Sequence, residues 1–186
     1  MDLAGWLVAE LDENVGRLQD QVLAVVPLER RLERMPDGNS ITWATYHVAR
    51  HATLALQVLG ARSFDPDPGL AAFVPEATVG GAGLQEVQQP WIDDLDPEAV
   101  DAYALSVLGD VRDYLAAIEP AELDPVPDVA SALTRAGVDP VAFGWLQRLW
   151  SQPSGFIVRW PLLGHVTHHV GEMITVRNLM GLSPFR

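Results

Sequence analysis

Apolar residues recur at steps of three and four from the first turn of the chain. Leu3, Leu7, Leu11, Val15, Leu18, Val22 and Val25 fall on one stripe, with Asp12, Glu13, Arg17 and Asp20 between them. This spacing predicts an amphipathic helix that ends near Pro27. A second helix is expected after Asn39 and Ser40, both N-cap residue types, with Gly60 near its stop. Its inward stripe reads Ala44, His47, Val48, His51, Leu54 and Val58, so two histidines stand where apolar side chains belong. From Ser63 to about Leu95 the period is lost among Pro66, Asp67, Pro68 and Gly69, then Gly80, Gly81 and Gly83. The 62–95 stretch reads as a long connection of the kind that serves as a lid or a dimer arm.

Asp96 followed by Pro97 is an N-cap and first-turn pair that opens a third helix carrying Val100, Tyr103, Val107, Val111, Tyr114 and Ile118 and ending close to Pro120. Residues 120–138 are mixed. Asp139 and Pro140 repeat the helix-start chemistry before Phe143, Leu146, Leu149 and Trp150, which predicts a short helix. The last pattern runs Leu162, His165, Val166, His169, Met173, Val176 and Met180, with Gly181 as its C-cap and Pro161 near its start or at a kink. No strand alternation competes with these stripes. Four strong helical patterns predict an all-α chain, a four-helix bundle with short extra helices in one domain spanning 1–186.

Composition narrows the chemistry. With 48% apolar and 20% charged residues the chain has ample side chain to bury. A formal charge of −13 repels phosphate backbones and anionic lipid heads, so nucleic acid and membrane surfaces are not expected as partners. No apolar run approaches a bilayer span, and the first residues are acidic where a secretory signal is basic, which places the protein in the cytoplasm. Cysteine is absent. Disulfides and protein thiols are thereby excluded, and histidine and carboxylate remain as the strong ligands for a transition metal.

All five histidines fall in two short stretches, 46–51 (Tyr-His-Val-Ala-Arg-His) and 164–172 (Gly-His-Val-Thr-His-His-Val-Gly-Glu). Helix residues four apart share a face, so His165 and His169 can offer two imidazole nitrogens to one ion, as can His47 and His51. A core histidine can also be held by a carbonyl or hydroxyl, and such pairs arise by chance. Four imidazoles within one bundle, however, each need a partner against the cost of desolvation, and a metal serves several at once.

Trp43 four residues before His47, together with the final run from His165 to Glu172, resembles the signature of the DinB/YfiT-like family of metal-dependent proteins. The resemblance extends over most of the chain. It implies a four-helix bundle with a long crossover, metal ligands at His47, His165 and His169, zinc or nickel as the divalent ion, and a homodimer. Some members are transferases or isomerases that use mycothiol or bacillithiol, which agrees with the missing cysteine. Two positions depart from the family pattern: His51, and Glu172, where many members carry glutamine.

His51 can complete a four-histidine site, bind a second ion, or stand in the pocket as a general base, and the pocket role is preferred. Glu172, one turn beyond His169, can orient that ring or face solvent. His51 and Glu172 are therefore the candidate catalytic residues. By helix geometry His168 lies about 60° to one side of His165, which predicts a packing or hydrogen-bonding role. Gly164 and Gly171 each cost roughly 0.5–1 kcal/mol in a helix, so close packing is expected beside both. Trp43, Trp91, Trp145, Trp150 and Trp160 can wall a pocket but serve a core equally well. Arg50 and Arg177 can bind an anion, with a plain surface role expected for both.

Three histidine ligands leave a coordination position open, the arrangement of a catalytic ion. The leading expectation is a small-molecule transferase or isomerase in which the ion binds an external thiol as thiolate. The alternatives are a hydrolase using activated water, with His51 or Glu172 as base, and a non-catalytic metal-binding stress protein.

Overall fold

The computed structural model describes residues 1–35, 38–61, 93–138 and 144–185. Its helices are α1 (Leu3–Leu18), α2 (Ile41–Val58), α3 (Pro97–Ala117), α4 (Val129–Arg135), α5 (Gly144–Trp150), α6 (Ser154–Ile157) and α7 (His165–Leu179). No strand occurs among the described residues. The long connection expected over 62–95 lies outside the described residues as far as 92, as do Asp139, Pro140 and Phe143.

Short polar side chains start the helices by accepting otherwise orphaned backbone N–H groups. Asp2 accepts from Gly5, Ser40 from Trp43, Asp96 from Glu98, and Asp128 from Ser131. The last of these opens α4, a helix that the mixed 120–138 pattern did not predict. Gly60 closes α2 at φ 76° and Gly181 closes α7 at φ 83°, left-handed conformations that glycine adopts without strain.

The four long helices pack around a shared apolar core. α1 lies against α3 and α7, and α2 against the same two, so α1 and α2 occupy opposite corners. Each expected stripe is adjusted by this packing. In α1 the buried positions are Leu7, Leu11, Asn14 and Leu18, with Asn14 in place of Val15. Its amide is satisfied by the Glu10 carbonyl at 2.8 Å. A π-helical turn over Gln19–Leu23 then rephases the stripe, burying Val22 and Val26 and leaving Val25 only half-buried.

α2 differs more. The expected amphipathic stripe is a helix buried around its whole circumference, from Ile41 to Val58. Small residues on the far side, Ala49, Ala52 and Ala55, let neighbouring elements close over it. Its polar residues are enclosed with it, and Thr53 shares a 3.1 Å hydrogen bond with the Tyr103 hydroxyl of α3.

Arg50 and Arg177 are buried at 1% and 2% exposure, which corrects the surface role expected for them. Arg177 reaches from α7 to donate to the Gln21 carbonyl at 2.7 Å, using an acceptor in the π turn of α1. Arg31 is buried as well, pairing with Asp101 and donating to the Val26 carbonyl at 3.0 Å. Burial outweighs the attraction of Arg31 and pushes the Asp101 carboxyl up to about 6.

No helix among the described residues is long and apolar enough to cross a membrane.

Candidate metal centre

The chain reaches its last helix through a distortion. α6 runs without a break into a π-helical segment, Val158–Gly164, and then into α7, with the backbone right-handed at every junction. Pro161 sits inside this segment. Proline has no N–H to give an α-helical ladder and its ring crowds the preceding turn, so the wider turn carries the helix past it. Gly164 serves the same place: a Cβ there would stand 2.9 Å from the Trp160 ring and 3.1 Å from the Arg159 carbonyl oxygen. Gly171, by contrast, faces open space, so the close packing expected at both glycines holds only at Gly164.

His165 and His169 follow directly, on the face of α7 that meets α2. His47 comes from the middle of α2. All three rings are buried, between 4% and 8% exposed. His165 Nε2 lies 3.2 Å from His47 Nε2 and 3.2 Å from His169 Nε2. The three can hold one metal ion, since their ligand atoms all lie within 4.8 Å of one another. With metal–nitrogen bonds of about 2.1 Å, a 3.2 Å separation subtends roughly 100° at the ion, between the octahedral and tetrahedral values.

The donor set fits a cation better than it fits hydrogen bonds alone. A single proton on His165 Nε2 can serve one of its two imidazole contacts, not both. With Nε2 given to an ion, the proton of His165 rests on Nδ1, which meets no hydrogen-bond partner among the described residues. Burial, followed by the neighbouring His51, His169, His47 and His168, pushes the His165 pKa far down, so this ring stays neutral and keeps a lone pair to give.

Outer contacts hold the ligands in place. His47 stacks on Trp43 with centroids 4.3 Å apart and planes at 14°. His169 donates from Nδ1 to Glu172 Oε2 at 2.6 Å, and Asn39 donates to the other oxygen, Oε1, at 2.8 Å. These bonds, His169's first, hold the Glu172 carboxyl below its ordinary range. Glu172 therefore stands behind His169 with both oxygens engaged, which suits orientation of the ring rather than proton transfer at the centre. Asn39, considered in the sequence only as a helix cap, links the entry of α2 to this carboxylate; only the contact across 133 positions reveals it.

On its other side the centre opens into a cavity of about 300 Å³. His51 lies on its wall with its centroid 4.5 Å from those of His47 and His165. Trp145, Leu149, Trp150, Trp160 and Pro161 complete the apolar lining. These tryptophans had no role assignable from spacing; the signal available was Trp160-Pro161 immediately before the histidine run. Trp91 lies outside the described residues. His168 is exposed at the cavity's edge, outside the three-histidine group, with its ring meeting that of His169 edge-on at 5.2 Å between centroids.

Comparison with models of protein families, with curated proteins and with solved structures gives no match.

Proposed function

We propose that this chain is a metal-dependent enzyme of the DinB/YfiT-like type, with His47, His165 and His169 holding a zinc or nickel ion and an external thiol, mycothiol or bacillithiol, as co-substrate. One observation carries the reading: three buried imidazoles converge at metal-ligand spacing beside a cavity that a small molecule can enter. A divalent ion bound there supplies Lewis acidity and lowers the pKa of whatever thiol or water it meets.

The protein's own groups do the rest. Glu172 and Asn39 fix the ring of His169, and Trp43 fixes that of His47. The indoles exclude water from the cavity. His51, on the cavity wall beside His47 and His165, receives the proton released by the nucleophile and returns it to the product. The absence of cysteine from the chain favours a thiol supplied from outside. The placement of His51 also favours a second reading, hydrolysis with water in the thiol's place. The resemblance extends the proposal to a homodimer.

The test is metal content of protein purified without tag or chelator, for wild type and for His47→Ala, His165→Ala and His169→Ala. About one ion per wild-type chain, lost in each variant, is the expected result. Turnover of electrophiles with and without added thiol then separates transferase from hydrolase. A folded wild type that takes up no ion overturns the reading.

A further inference from the structure

We infer that the cavity beside the three histidines takes a neutral, flat compound of one or two rings, with one polar atom directed at the imidazoles. This deepens the metal-site reading and rests on it only for the wall that the ligands form.

Size is the first constraint. A volume of about 300 Å³ lies at the small end of ligand pockets, which span about 300–1,000 Å³, so one ring or two fused rings fill it and a longer molecule, a thiol co-substrate included, extends beyond it. Shape and polarity come next. Trp145, Trp150, Trp160, Leu149 and Pro161 form the apolar walls. Trp150 and Trp160 stand at 72° and 75° to the imidazoles of His51 and His165, so the aromatic rings at the cavity meet edge to face. Flat π-systems gain most from such walls.

Charge decides the class. Among the described residues no Lys, Arg, Asp or Glu lines the cavity. A carboxylate or phosphate entering it sheds water without a cationic side chain to replace it, and the chain's charge of −13 opposes its approach. An ammonium finds indole faces but no carboxylate to replace its water. A neutral ring with a single hydroxyl, carbonyl or similar atom meets neither penalty.

The test uses three probes of one shape, 2-naphthol, 2-naphthoate and 2-naphthyltrimethylammonium, titrated into the full chain in chelator and after zinc loading, with tryptophan fluorescence and calorimetry as readouts. In chelator, saturable binding of 2-naphthol at least about tenfold tighter than either charged probe is expected; zinc on the histidines adds a ligand position that narrows the margin over 2-naphthoate. Trp145→Ala and Trp160→Ala, at positions only partly buried, should each weaken it about tenfold while the helical circular dichroism stays unchanged. Leu149→Arg, at a position 38% exposed on the cavity lining, should shift preference towards 2-naphthoate. Equal or tighter binding of a charged probe by wild type in chelator, or no saturable 2-naphthol binding by folded protein, overturns the inference. The two readings fail separately: 2-naphthol bound by a chain that takes up no zinc removes only the metal site, and zinc bound by a chain that ignores 2-naphthol removes only the ring pocket.

Discussion

His169 Nδ1 lies 2.6 Å from Glu172 Oε2, and this one bond decides which nitrogen of His169 faces His165. A carboxylate can only accept, so the proton belongs on Nδ1 and the lone pair on Nε2. Orientation of the third ligand thus depends on a residue that does not touch the candidate centre.

Glu172→Ala should lower metal affinity about 10- to 100-fold with the fold retained, and Glu172→Gln should lower it less, because an amide oxygen still accepts from Nδ1. Asn39→Ala should act in the same direction and add little to Glu172→Ala, since both work through one carboxylate. Competition titration with a chromophoric chelator reads all three variants. Unchanged affinity in Glu172→Ala would show that His169 is held by packing alone.

The two glycines of the last helix should behave oppositely. Gly164→Ala forces its methyl against the Trp160 ring and the Arg159 carbonyl, and should destabilise by about 1–3 kcal/mol as an overpacked site does. Gly171→Ala points into open space and should stabilise by up to about 1 kcal/mol through helix propensity. Urea denaturation of the pair checks this, and equal effects would contradict the packing described at Gly164.

Arg177→Met should cost about 1.5–3 kcal/mol, because the charge-assisted bond from the buried Arg177 to the Gln21 carbonyl is lost. Metal stoichiometry should not change, which distinguishes a tie between helices from a substrate-binding arginine. A stable variant with altered metal content would reverse that assignment.

Asp101 predicts a dependence of stability on pH. Its folded pKa, raised to about 6, exceeds the unfolded value, so the native state binds the extra proton. The resulting stabilisation is complete below the unfolded pKa of about 3.9 and is lost as pH rises through the folded one. Between pH 5 and 7.5 the loss should be roughly 1 kcal/mol, and Asp101→Asn should remove that slope. A wild-type curve and an Asp101→Asn curve of the same shape would show that Arg31 keeps the carboxyl ionised throughout.

The sequence by itself determined what depends on neighbours along the chain. The phases of the helices, the caps at Ser40 and Asp96, the stops at Gly60 and Gly181, and the shared face of His165 and His169 all follow from 3.6 residues per turn and from short-range hydrogen bonds. Tertiary structure decided what depends on distance across the chain. A stripe of alternating character in α2 gave no sign that its polar side would also be enclosed, because burial is set by the elements packed on it and not by its own residues. The meeting of His47 with His165 across 118 positions and the bond from Asn39 to Glu172 belong to the same class. Each is a contact between segments remote in sequence, and periodicity within one segment carries no information about its partner.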